Sequence, residues 1–164
     1  MNWYLIVKFL HILAVTITIG GMFARQLVRG IAKKSDDVKT VASLTQVVHR
    51  LDRAMVIPWS SAMLVFGIIL AVMLKWPIFG FLQGADKNWL LASNLLLVIM
   101  QGLIPGVFIP HNKKVAVLLQ AALTEGHVTS ELTAALADKK NTWAHYAEEA
   151  IVLIVAALMV LKPF

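Results

Sequence analysis

Residues 3–24 read WYLIVKFLHILAVTITIGGMFA, an apolar run interrupted only by Lys8 and His11. A helix of about 20 mostly apolar residues crosses the hydrocarbon core of a bilayer. The run is therefore read as a transmembrane span. A cleaved secretory signal has a basic start, a shorter apolar region and a small-residue cleavage site. Here the basic residues Arg25 and Arg29 come after the run, so the span is expected to remain in the chain.

Three further runs have the same character: 55–74, 89–109 and 143–161. The second carries Pro58 near its start, where the missing amide donor kinks a helix or marks its first turns. In the third, Ser93, Asn94 and Gln101 are polar, and Pro105-Gly106 is expected to bend the inner end. Trp143, Tyr146 and Lys162 flank the fourth as interfacial anchors. Together these runs predict an all-α, integral membrane four-helix bundle, one transmembrane domain over residues 1–164.

Composition agrees. The 164 residues are 59% hydrophobic and 15% charged, with a mean hydropathy of +0.77. Soluble domains are about half apolar and about a quarter charged. Four spans use up most of the length, which excludes a large extramembrane catalytic domain. The absence of cysteine excludes disulfides, thiolate metal sites and CxxC redox chemistry.

A net charge of +6 invites comparison with nucleic-acid binders, but in so apolar a chain the excess belongs at a membrane surface, and no nucleic-acid partner is expected. Seven Lys and Arg fall between the first two spans (Arg25, Arg29, Lys33, Lys34, Lys39, Arg50, Arg53) and four between the last two (Lys113, Lys114, Lys139, Lys140), against four on the opposite side. The positive-inside rule then places both termini outside and the two longer connections in the cytoplasm. Within those connections, apolar residues recur at helical spacing over Asp36–Leu51, Lys113–Thr124 and Ser130–Ala137, the last two split by Gly126. Short amphipathic cytoplasmic helices lying along the inner interface are expected, the first also readable as an extension of the second span.

Polar residues inside spans are costly and mark candidate sites. Tyr4, Lys8, His11, Thr18 and Arg25 share one helical face. A neutral imidazole on such a face can ligate haem iron or a metal ion, or hydrogen-bond across helices, here to Asn94 or Ser93. Matching span midpoints sets His11 level with Gly67, Leu97 and Val155, none a ligand, whereas His49, His111, His127 and His145 lie at or near the inner side. A haem at His11 would take its second ligand from Met63, Met100 or His11 of a second subunit. Gly67 would leave room for a flat ring or simply permit close helix packing.

The second constellation is His145, Glu148 and Glu149, whose spacing permits metal binding or a proton relay. An unpaired buried acid is expensive, so pairing of Arg25 or Arg53 with Glu148 or Glu149 is the expected arrangement. Asn94 and Gln101, seven apart, share a face and suit interhelical hydrogen bonding. No phosphate-loop, dinucleotide or zinc-protease motif occurs in a supporting context.

Lys8-Phe-Leu-His11, Gly20-Gly21, Asp52-Arg53 ahead of Pro58, Gly67, Trp89-Leu90 and the terminal Leu158-Met-Val-Leu-Lys-Pro163 together resemble a bacterial family of four-span integral membrane proteins of unknown function. That family is distantly similar to the HemJ-type protoporphyrinogen oxidases and to the copper-resistance D membrane domain. The resemblance implies the bacterial cytoplasmic membrane, with periplasmic termini, and His11 as a haem ligand. The third-span lysine ligand of the HemJ-type group would fall near Ser93, and that lysine is missing here.

Three functions follow as expectations. One is a b-type haem electron-transfer protein using His11, with Gly67 and Asn94 about the cofactor, completed by a homodimer or larger membrane complex. Another is a cofactor-free structural or accessory subunit. The third is a small transporter working as an oligomer.

Overall fold

The computed structural model describes residues 2–163, and every described element is helical or turn. Helix α1 runs from Trp3 to Ala32. A second rod joins α2 (Val38–Leu51) to α3 (Ile57–Met73) through a π turn at Asp52–Val56. A third joins α4 (Trp89–Leu103) to α5 (Ile109–Glu125) through a π turn at Ile104–Phe108. The short α6 (Ser130–Leu136) then leads into α7 (Lys139–Leu161). Four helical segments are long and apolar enough to cross a membrane: Trp3–Ala32, Val38–Met73, Trp89–Glu125 and Ser130–Leu161.

These segments are longer than a bilayer requires. At 1.5 Å per residue, the 36 residues of Val38–Met73 reach about 54 Å, against a hydrocarbon core of about 30 Å. The surplus extends from the basic end, opposite the two chain ends, and it corrects one expectation. Residues 113–124 belong to the third rod instead of forming a separate helix on the interface, while residues 38–51 extend the second, in line with the alternative reading of that stretch.

The rods consequently hold two cores. In the spanning region Ala14 and Met22 of α1 pack with Val56 and Met63, Leu97 and Met100, and Ile151, Val152 and Val155 of α7. Beyond it, Val38, Val41, Val115, Leu119, Ala122, Leu132 and Ala135 bury one another. The amphipathic faces read from the sequence are thus used against each other and not against lipid. Outward-facing Phe9, Val65, Ile68, Val98, Ile99, Leu153 and Val160 supply the apolar surface that contacts the bilayer.

Both π turns sit next to proline. Ile57 N–H reaches Asp52 O and Ile109 N–H reaches Ile104 O, five residues back, just before Pro58 and Pro110. Proline cannot donate, and a widened turn lets the chain pass it without ending the helix. The expected bend at Pro105-Gly106 is this second π turn. Close approach of α1 to the second rod depends on Gly21, where an added Cβ would lie 2.8 Å from Met55 Cβ.

The end bearing the chain termini is closed by aromatic rings. Trp76 and Trp89 meet edge to face at 5.0 Å, and Lys162 Nζ lies 4.3 Å from the Trp76 ring. Asn94 Nδ2 donates to Ile78 O at 3.2 Å, tying the loop between the second and third rods to α4.

Candidate functional site

Polar side chains concentrate at the basic end of the spanning core. Arg25 and Arg29 are one helical turn apart on α1, so both guanidinium groups face α7. Arg25 donates to Asp52 Oδ1 at 2.7 Å and to Glu148 Oε2. Arg29 donates to Nε2 of His145. That leaves the ring hydrogen on Nδ1, which donates to Glu148 Oε2 at 3.3 Å. Phe108 stacks on the imidazole, 4.3 Å between centroids and 3° from parallel.

The first π turn carries Asp52 and the second carries Phe108, so the two irregularities place two members of the cluster. Arg25 is 5% exposed, Glu148 6% and His145 2%. With two guanidinium groups, two carboxylates and a neutral imidazole the cluster is formally electroneutral. Such balance is what allows charges to be buried at all.

Of the acids and bases named from the sequence, Arg25, His145 and Glu148 come together. Arg53 is exposed and outside the cluster, so its expected pairing does not form. Glu149 points elsewhere, half-buried beside Ile19, Met22, Phe23, Val152 and Leu153. Among the described residues no three His, Asp or Glu side chains are grouped so as to hold a metal ion.

The site around His11 is assembled differently from the expectation as well. His11 Nδ1–H donates to the carbonyl of Met63 at 3.0 Å, not to Asn94 or Ser93. Ser93 Oγ donates within its own helix to Trp89 O at 2.8 Å. Asn94 is held by Ile78 O, so it does not stand with His11 and Gly67. Gly67 does lie against His11, as the matched depths require: a Cβ there would come 3.2 Å from Cε1 of the ring. The imidazole itself fills the notch. Met63 and Met100 are buried in the spanning core.

Between α1, α2, α5 and the start of α7, beside the charged cluster, lies a cavity of about 330 Å³. Arg29, Lys33, His111, Asn141, Thr142 and His145 form its polar side, and Val115, Leu119 and Leu136 part of its apolar side. No Asp or Glu lines it. Lys33 Nζ donates to Thr142 Oγ1 at 3.0 Å. Desolvation and the adjacent Arg29 charge lower the pKa of the Lys33 ammonium. Asn141 is 7% exposed, and its Oδ1 is buried without a hydrogen-bond partner.

Sequence reasoning counted Arg29 and Lys33 only as orienting charges and did not single out Phe108 or Asn141. Arg29 had a legible signal, since it continues the stripe through Lys8, His11, Thr18 and Arg25 by one more turn.

No curated protein and no solved structure matches the chain. A family model described as "Predicted integral membrane protein (DUF2269)" matches residues 5–163. Four apolar rods of spanning length, the buried charges between them and this nearly complete match lead to one assignment: the chain belongs to the DUF2269 family of integral membrane proteins.

Proposed function

We propose that the protein is a solute-binding membrane protein, a small carrier that works as an oligomer and takes its solute from the cytoplasmic side of a bacterial inner membrane. The observation that carries this reading is the cavity of about 330 Å³ with one polar and one apolar side, within the size range of small-molecule sites. The excess of Lys and Arg at the same end turns its mouth toward the cytoplasm and leaves both termini in the periplasm. A cluster of buried charges packed against such a cavity is a cost that a purely structural bundle does not need.

The test uses the full chain in lipid nanodiscs and a panel of small solutes, read by thermal stability. Ala116 lines the cavity and is exposed, so Ala116→Trp obstructs it without entering either core. At least one solute is expected to raise the Tm of the wild type by several degrees and to leave Ala116→Trp unmoved. If no solute stabilises the wild type, the reading fails and a cofactor-free accessory subunit takes its place.

A second reading, a b-type haem on His11 serving electron transfer, is favoured by one observation. The bond from Nδ1–H to Met63 O fixes the tautomer and leaves Nε2 with its lone pair, the state of a ligating histidine. Because the imidazole occupies the Gly67 notch and Met63 and Met100 are packed in the core, the haem would have to sit between two copies. An oxidised-minus-reduced spectrum of the protein purified from haem-replete cells decides this, and absence of a Soret band removes it.

A further inference from the structure

We infer that the cavity selects an amphipathic anion, a carboxylate or phosphate with an apolar body. The inference rests on the reading of the cavity as a solute site and names the class of solute. Two independent features of the wall agree.

Charge comes first. Arg29 and Lys33 line the cavity and no carboxylate does. The acids nearest Arg29 stand behind it, bonded to Arg25, and Lys33 bonds the Thr142 hydroxyl, while Asp138, whose charge acts on Lys33, lies outside the cavity lining. Two adjacent cations in a partly desolvated recess repel each other and attract an anion, and the low local dielectric strengthens both effects.

The second feature is the apolar side, where Val115, Leu119 and Leu136 offer a surface for a short hydrocarbon body. A soluble organic acid and the headgroup of an anionic lipid such as phosphatidylglycerol both present this chemistry.

The test uses the full chain in phosphatidylcholine nanodiscs and three probes: hexanoate, 1,2-hexanediol and hexylamine, with affinity taken from the concentration dependence of Tm. Hexanoate is expected to bind, and the diol and the amine not at all. Lys33 is exposed at the end of α1, so Lys33→Gln keeps the fold, and it should weaken hexanoate at least tenfold. Arg53→Gln makes the same charge change outside the cavity and should leave binding unchanged. Stabilisation by phosphatidylglycerol alone, lost in Lys33→Gln, would support the anion class and identify a lipid as its source. If the diol or the amine binds as well as the acid, or Arg53→Gln weakens binding as much as Lys33→Gln, the anion class is wrong while the solute site stands. If neither probes nor lipid stabilise the wild type and the wider panel also fails, both readings fall.

Discussion

The imidazole of His145 and the phenyl ring of Phe108 lie face to face, 4.3 Å apart and 3° from parallel, with Arg29 and Glu148 bonded to the two ring nitrogens. The histidine is held on its face and at both nitrogens. Phe108 therefore positions the group that joins the charged cluster to the cavity. Phe108→Ala should cost about 3 kcal/mol of stability, the usual loss for a buried aromatic. Chemical denaturation in a fixed detergent checks it, and a cost below about 1 kcal/mol would mean that the stack is incidental.

Arg25 serves two carboxylates. Removing it leaves the buried Glu148 and the half-buried Asp52 without a counter-charge. Arg25→Met is expected to cost about 3–5 kcal/mol, whereas Arg25→Met with Asp52→Asn and Glu148→Gln should recover much of that loss. Comparing the single and triple variants separates an electrostatic cost from a packing one.

Gly67 and His11 form a size-matched pair across α3 and α1. Gly67→Ala should destabilise the protein by about 1–2 kcal/mol, because the imidazole is held by Met63 O and has little freedom to retreat. In a His11→Ala background the same substitution should be neutral. A double-variant cycle measures the coupling, and a cost that persists without the imidazole would locate the contact elsewhere.

Asp37 caps α2, accepting from Thr40 N–H at 2.8 Å, Thr40 Oγ1–H at 2.6 Å and Lys39 N–H at 3.4 Å. The Thr40 hydroxyl bond, followed by its backbone amide bond, lowers the carboxyl pKa below its ordinary 3.8. A group whose folded pKa is depressed stabilises the fold above its unfolded pKa and loses that contribution as pH falls through the folded value. Stability of the basic-end layer should thus decline below about pH 4, and Asp37→Asn should remove that component of the slope. Hydrogen exchange of the α2 amides against pH is the measurement.

Apolar run length was enough to anticipate four helices long and apolar enough to cross a membrane, because the bilayer imposes a length that few other environments demand. The inner helices were legible in their apolar spacing, but not in their partners. Val41 and Leu119 carry the same pattern whether they face lipid or each other, and only the assembled rods show that they meet in a second core. Continuity through Pro58 was one of two readings of the sequence, whereas continuity through Pro110 was hidden, since a proline reads as an interruption until a widened turn is seen to absorb it. Within the site, Glu148 and Glu149 are indistinguishable as letters. The rotation of α7 decides that Glu148 meets Arg25 while Glu149 turns toward Phe23. Asn141 drew no attention for a related reason: an unsatisfied carbonyl is a property of its surroundings and has no signature in sequence.

The π turns are the places where the two rods absorb a change in chain length. Each holds one residue more than an ordinary turn, so deleting a single residue from 52–56 or 104–108 restores regular winding and leaves the helix beyond it nearly in phase, whereas a deletion in the regular helix on either side rotates everything beyond it by about 100°. In the second case the spanning core would survive while the second core and the cavity wall lost register. Natural insertions and deletions in these proteins should therefore collect in the loops around residues 75–88 and 126–129 and, within the rods, at the π turns.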